Sequence, residues 1–110
     1  MEHLFVYGTL RPNETNAHLL DNIGGVWRKA TLRGIVHVLD WGPDAGLFAL
    51  ELNDQANEVE GFVFSSNTLQ HHWQMLDDFE GFQYRRVQTQ ACIEDNLQTV
   101  WTYVIQPRQK

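Results

Sequence analysis

Alternating apolar and polar residues predict two neighbouring strands near the end of the chain. From Arg86 to Ile93 apolar or small side chains recur at every second position, and the same alternation returns from Val100 to Ile105. Because successive side chains of a strand point to opposite faces, each run presents one apolar face. The segment between them, Glu94-Asp95-Asn96, is typical of a turn, so we predict a β-hairpin.

Short apolar runs bounded by Gly, Pro, Asn or Asp indicate further strands. Polar segments that contain Pro12 and Pro43 are predicted to be loops, at 9–16 and 40–46, and residues 17–21 to form a brief helix or turn. The predicted strands are His3–Tyr7, Trp27–Leu39 with a bend at Gly34, Leu47–Leu52 and Glu58–Phe64.

A single long helix is predicted from Asn67 to Phe79. Apolar residues there recur at helical spacing and so share one face, while cap and stop residues mark the two ends. The prediction rests on Leu69, Trp73 and Leu76 for the shared face, Asn67 as N-cap, Gln70 at the capping-box position and Gly81 as the stop.

Strands joined by short turns, with one principal helix late in the chain, favour an α+β fold. We expect a mainly antiparallel sheet that curls into a small barrel. The 110 residues contain no repeat or linker, so they are predicted to form one domain, 1–110.

Charge and composition narrow the classes of partner. The formal net charge is −6, and the eight basic residues are scattered apart from Arg85-Arg86. A nucleic-acid or anionic-membrane surface normally needs a basic face, so neither partner is expected. No run of about 20 apolar residues and no leader-like segment occurs, and Cys92 is alone. We expect a soluble cytoplasmic protein in which Cys92 is a buried structural thiol.

The first segment that could carry chemistry is Tyr7-Gly8-Thr9-Leu10, where a strand breaks at glycine. Consecutive backbone amides at such a break can point into one concavity and bind an anion or an oxyanion. An ordinary turn has the same local sequence.

The second segment is the end of the predicted helix. Asp77, Asp78 and Glu80 crowd the negative end of the helix dipole, and both the dipole and their mutual repulsion disfavour charged carboxyl groups. A carboxyl group whose pKa is raised in this way can accept and return a proton near neutral pH. Glu80 is the best placed, because Phe79 and Phe82 can shield it; the alternative is that all three acids are solvated.

Beyond the helix lies Tyr84-Arg85-Arg86, where one Arg offers a cation for a substrate carboxylate or for the acids just named. The alternative is an ordinary surface salt bridge. His71 and His72 are adjacent on the helix and point about 100° apart, so they do not form a chelating pair. No metal-binding spacing, phosphate loop or dinucleotide fingerprint occurs, and neither a metal nor another cofactor is predicted.

Taken together, these segments resemble the gamma-glutamylcyclotransferase superfamily, and within it the γ-glutamylamine cyclotransferase branch. Where that family often has Gly-Glu-Val-Tyr in its central strand, Phe62 and Phe64 replace the Glu and the Tyr, and Trp41-Gly42-Pro43 replaces a Tyr-Pro type of turn. The resemblance is carried by Phe5–Arg11, Asn16, Val59–Phe64, Leu76–Gly81, Tyr84 and Arg86.

The resemblance implies cyclisation of a small-molecule γ-glutamyl amide to 5-oxoproline, without a cofactor. It implies Glu80 as the general acid and base, with a substrate site formed by Tyr7, Gly8, Thr9, Leu10, Tyr84 and Arg86. Two alternatives remain open at this point: a non-catalytic module that binds γ-glutamyl compounds, and an acyltransferase on the same scaffold. The leaving amine and the oligomeric state are open as well.

Overall fold

The computed structural model describes residues 1–8, 10–38, 48–81 and 84–105. Strands dominate these residues, and the longest described helix has eight residues. No helix in the described ranges has the length and apolar character needed to cross a bilayer. The elements are β1 (Glu2–Val6), α1 (His18–Asp21), β2 (Val26–Val38), β3 (Phe48–Leu52), β4 (Glu58–Ser66), a 3₁₀ turn (Leu69–His71), α2 (Trp73–Glu80), β5 (Tyr84–Ile93) and β6 (Asn96–Ile105).

Five strands close into a barrel in the order β1, β4, β2, β5, β6. Most neighbours are antiparallel, and the ring closes through a parallel contact of Leu4 with Trp101 and an antiparallel contact of Thr31 with Cys92. The predicted α+β fold with a small barrel is confirmed. The β5–β6 hairpin is confirmed too, and its turn residues Glu94 and Asp95 both have positive φ, as tight hairpin turns favour.

β3 and β4 lie along the same edge of β2 as one interrupted strand. Leu52, at the end of β3, pairs with Gly34, and Glu58, at the start of β4, pairs with the preceding Arg33. Beyond the end of β1, β3 also contacts β6, where Leu50 pairs with Val104 in parallel. The barrel therefore stays closed at the end where β1 stops.

Both faces of the barrel wall are buried at β1. In β1, Phe5 points into the barrel, whereas Leu4 and Val6 point outwards beneath the helical segments. Two apolar cores result, one enclosed by the strands and one between the strands and the helices. The first includes Phe5, Leu32, Leu50, Val63, Ile93 and Val100, and the second includes Leu4, Val6, Leu20, Phe64, Leu69, Leu76 and Tyr103.

The predicted helix from Asn67 to Phe79 is wrong at its start. The amide of Thr68 donates to the hydroxyl of Ser66 at 3.2 Å, so a local side-chain bond draws the backbone out of a continuous helix. A 3₁₀ turn follows, and α2 begins only after His72. Asn67 is therefore not an N-cap, and neither helical segment has a side-chain cap bond.

Two other features of that prediction are confirmed. Leu69 and Leu76 are fully buried, and Trp73 packs beside them in the outer core. Gly81 ends α2 with φ 89° and ψ 177°, a conformation that glycine adopts far more readily than other residues, and its amide donates to Asp77 O at 3.1 Å.

Candidate active site

The Tyr7 hydroxyl fills the position where β1 leaves the barrel wall. It donates to the main-chain oxygen of Tyr103 in β6 at 2.7 Å and accepts from the main-chain amide of Leu50 in β3 at 3.0 Å. Because β1 ends at Val6, the strand offers no further backbone groups to pair with Tyr103 and Leu50. The phenol of Tyr7 makes those two hydrogen bonds instead. Tyr7 thus fixes the direction in which the chain continues into Gly8.

The segment after Tyr7 is anchored at both of its described ends. The carbonyl of Gly8 accepts from the amide of Arg11 at 3.1 Å and from its Nε at 3.0 Å. Leu10 is buried in the outer core. Among the described atoms, a carbon added at the Cβ position of Gly8 would meet nothing within 4 Å, so open space adjoins the backbone there. Thr9 lies outside the described residues.

Glu80 is the last residue of α2 and is half-buried. Burial raises the pKa of Tyr7 well above its ordinary value, the Leu50 amide opposes this, and the Glu80 carboxylate raises the pKa further. Burial also raises the pKa of Tyr103, followed by the effect of Asp77 and then of Glu80. The carboxylate of Glu80 therefore lies within electrostatic reach of both tyrosines, at the end of the barrel where β1 stops.

A network of side chains connects α2 to the hairpin beside Glu80. Asp77 Oδ1 accepts from Arg86 Nε at 3.0 Å and from the Tyr103 hydroxyl at 2.6 Å, and Asp77 Oδ2 lies 3.4 Å from Arg86 Nη2. Of the two partners predicted for Arg86, a substrate carboxylate or the acids of the helix end, the structure shows the second.

Two indole rings hold the Arg86 guanidinium in place. Its central carbon lies 4.3 Å from the ring centroid of Trp73 and 4.6 Å from that of Trp101. The indole of Trp101 in turn donates to Glu2 at 2.9 Å. Arg86 is 21% exposed, so its guanidinium is partly shielded from solvent, while its ion-pair partner Asp77 is 41% exposed.

The structure brings most of the predicted site residues to one end of the barrel. Tyr84 starts β5 and, like Glu80, raises the pKa of Tyr7, although burial is the largest cause. Glu80 and Tyr84 are therefore both within electrostatic reach of Tyr7, and Gly8 follows Tyr7 directly. Phe82, which was predicted to shield Glu80, lies outside the described residues.

Sequence reasoning did not find the roles of Asp77 and Tyr103. The available signal was spacing: Asp77 precedes Glu80 by three positions and so lies on the same helix face. The amide of Leu50, which bonds to Tyr7, leaves no such signal, because any residue supplies the same backbone group.

A separate groove of about 570 Å³ lies on the outer surface of β2, β4 and β5. Of the described residues, neither Tyr7 nor Glu80 lines it. Cys92 does, and it is half-exposed, so the prediction of a buried thiol is wrong. The cause is strand alternation: Ala91 and Ile93 point into the barrel, and the residue between them must point out. Within the described residues no three His, Cys, Asp or Glu side chains are grouped as metal ligands.

Solved structures with the same fold include proteins of bacteria, animals and plants. YkqA from Bacillus subtilis superposes with a TM-score of 0.72 at 27% identity, over 94% of this chain and 35% of that one. An AIG2-like protein from Mus musculus gives 0.69 at 22% identity, over 94% and 76% of the two chains. A protein from Arabidopsis thaliana gives 0.67 at 27%, over 94% and 68%.

The chain thus spans about a third of the length of the Bacillus protein. None of the curated proteins that were compared matches the chain. A family model described as gamma-glutamyl cyclotransferase, AIG2-like, matches residues 4–110, which include both the segment after β1 and the end of α2. On this match, the chain belongs to the AIG2-like gamma-glutamyl cyclotransferase family.

Proposed function

We propose that this protein cyclises a γ-glutamyl amide to 5-oxoproline and releases the amine, with Glu80 as the general acid and base. The observation that carries the proposal is the place of Glu80. Its half-buried carboxylate contributes to the raised pKa of Tyr7, the residue that directly precedes Gly8. The proposed proton-transfer group thus lies within electrostatic reach of the tyrosine that precedes the glycine-turned stretch of backbone.

The reaction needs only one acid–base group. Glu80 takes a proton from the α-ammonium of the substrate, and the freed amine nitrogen attacks the γ-carbonyl carbon of the same molecule. A new C–N bond closes the five-membered ring, the ring nitrogen gives up a second proton, and the original amide C–N bond breaks. Glu80 passes both protons in turn to the leaving nitrogen, which departs as an ammonium ion. Because the nucleophile belongs to the substrate, the site acts mainly by holding it in a folded conformation.

Backbone amides in the segment Gly8, Thr9 and Leu10 are the proposed donors to substrate oxygens, including the oxyanion that develops at the γ-carbonyl. A positioned donor of this kind contributes about 3 to 4 kcal/mol in a transition state. The hydroxyl of Tyr7 is already bonded to Tyr103 and Leu50, so Tyr7 enters the proposal as an aromatic wall and as the anchor of this segment. Tyr84 forms a further part of the wall.

The two phenylalanines that depart from the family pattern both pack against Trp27. Phe64 is fully buried with its ring 4.9 Å from that of Trp27, and Phe62 meets the same indole edge-on at 6.3 Å. We propose γ-glutamylamines as the substrates, in keeping with the branch that the sequence resembles.

The test is to incubate the protein with γ-glutamylamines and with γ-glutamyl α-dipeptides and to measure 5-oxoproline and free amine. Glu80→Gln should fold normally and lose activity by at least about 100-fold. Asp78→Asn is the matched control, because Asp78 is an exposed acid of the same helix that bonds to Gln74 at 3.1 Å. It should keep normal turnover.

Three results would contradict the proposal. Near-normal turnover by Glu80→Gln would remove the mechanism. Binding of the compounds without product would indicate a binding module instead. Transfer of the γ-glutamyl group to an added amine, with no 5-oxoproline, would indicate an acyltransferase.

A further inference from the structure

Three residues of α2 lie on one side of the helix and face the hairpin. Trp73, Asp77 and Glu80 are separated by four and then three positions, so their side chains fall within about 60° of each other around the axis. Trp73 and Asp77 both contact Arg86, which belongs to β5. Whatever fixes these two contacts also fixes the rotation of the helix that carries Glu80.

The helix needs such an external support. α2 has only eight residues and no side-chain cap bond at its start, and helices of that length are unstable on their own. Asp77 supports the last turn twice: its main-chain oxygen accepts from Gly81, and its carboxylate accepts from Arg86 and Tyr103. Glu80 lies between Asp77 and Gly81 and is therefore held from both sides.

Tyr103 connects the two halves of the proposed site. Its main-chain oxygen accepts from Tyr7, which anchors the amide segment, and its hydroxyl donates to Asp77, which anchors the end of α2. The side chain is 3% exposed, and burial keeps the phenol protonated and able to donate. One rigid aromatic residue thus spans from the Gly8 side to the Glu80 side.

We propose that Asp77, Arg86 and Tyr103 are positioning residues, which hold the Glu80 carboxylate at a fixed distance from the amides that follow Tyr7. The inference rests on the proposed cyclotransferase function and adds three residues that act on the reaction through Glu80. It also gives Arg86 a role through Asp77, in place of the predicted contact with the substrate.

The experiment compares Asp77→Asn, Tyr103→Phe and the double variant with Asp78→Asn, using the γ-glutamyl substrate that the wild-type protein turns over fastest. Each of the first two should lower kcat about 10- to 100-fold with KM within about twofold, because a small misplacement of Glu80 affects the transition state more than substrate binding. The double variant should be no less active than the less active of the two single variants, since both changes weaken the same hydrogen bond between Tyr103 and residue 77. Asp78→Asn should match the wild type.

A merely structural role would give a different result. It would lower the urea midpoint and the folded fraction, while kcat per folded molecule stayed constant. Should Asp77→Asn fail to fold, Tyr103→Phe answers the same question, because it keeps the Asp77–Arg86 pair. Equal kcat for Asp77→Asn and Asp78→Asn, or losses that multiply in the double variant, would overturn the inference and leave the proposed function intact. An inactive wild-type protein would overturn both.

Discussion

The hydroxyl of Tyr7 lies 2.7 Å from the main-chain oxygen of Tyr103, a residue 96 positions later in the chain. This bond joins the end of β1 to β6, at the point where β3 replaces β1 as the neighbour of β6. The geometry of the proposed site therefore depends on a contact between β1 and β6, and removal of the Tyr7 hydroxyl should affect both stability and turnover.

Tyr7→Phe removes the hydroxyl and leaves the Leu50 amide and the Tyr103 carbonyl without this partner. Each is a backbone group in a closely packed region, and a buried group left unsatisfied costs about 1 to 3 kcal/mol. We expect the free energy of unfolding, measured by urea titration, to fall by about that amount. An unchanged urea midpoint would show that water replaces the hydroxyl at no cost.

Thr102→Val tests a second bond to β1. Thr102 is fully buried, and its hydroxyl donates to the main-chain oxygen of Phe5 at 3.0 Å. Valine has nearly the same shape but cannot donate, so we expect a loss of about 1 to 3 kcal/mol in urea unfolding. Thr99→Val is the matched control on the same strand, because Thr99 is exposed and its contact with Gln90 is long, at 3.4 Å. Equal effects of the two substitutions would contradict the assignment of the Phe5 bond.

The protein should lose stability as the pH rises above about 10. The ordinary tyrosine pKa is 10.0, and burial raises the pKa of both Tyr7 and Tyr103 in the folded state. Above that pH the unfolded chain releases protons that the folded chain retains, so the unfolded state is favoured progressively. The stabilisation is complete below pH 10 and declines as the pH increases.

The measurement is the urea midpoint as a function of pH on both sides of 10.0, the ordinary tyrosine pKa. Tyr7→Phe and Tyr103→Phe should each flatten the alkaline decline, because each removes one group with a raised pKa. A decline of the same slope in both variants and in the wild type would assign the effect to other residues.

Gly81→Ala should weaken both the fold and the reaction. Gly81 has φ 89°, where a side chain introduces strain of about 1 to 3 kcal/mol, and it directly follows Glu80. Gly24 has a similar φ of 86° and lies far along the chain from the site, which makes Gly24→Ala the matched control. Both variants should lower the urea midpoint, but only Gly81→Ala should lower kcat for the folded protein. Equal kcat values for the two variants would show that the glycine at the end of α2 does not determine the placement of Glu80.

Local patterns were sufficient to predict much of the fold. The hairpin of β5 and β6 follows from alternation and from the turn at Glu94 and Asp95, because each of these signals comes from residues adjacent in sequence. The break before α2 could not be predicted, since the bond from Thr68 to Ser66 competes with a good helical pattern, and the two are close in energy. The parallel contact of Leu4 with Trp101, which closes the barrel, has no local signal.

The same distinction, between signals from adjacent residues and contacts between distant ones, applies to the site. Glu80 could be selected from the crowding of acids at a helix end and from the resemblance to the family. The function of Asp77 could not, because its partners Arg86 and Tyr103 come from another part of the chain and reach it only when the hairpin packs against α2. The sequence showed the acids to be unusual in their position, and the structure shows that Asp77 is paired with Arg86 and Tyr103.

Closure by the last strand has a consequence during protein synthesis. Gly8 and Glu80 have both been translated before the ribosome reaches β6, yet the residue that connects their surroundings, Tyr103, is near the end of that strand. A nascent or prematurely terminated chain that lacks β6 carries the groups of the proposed site without the means to hold them together. If the proposed reaction takes place, turnover is therefore expected only from chains that include Tyr103.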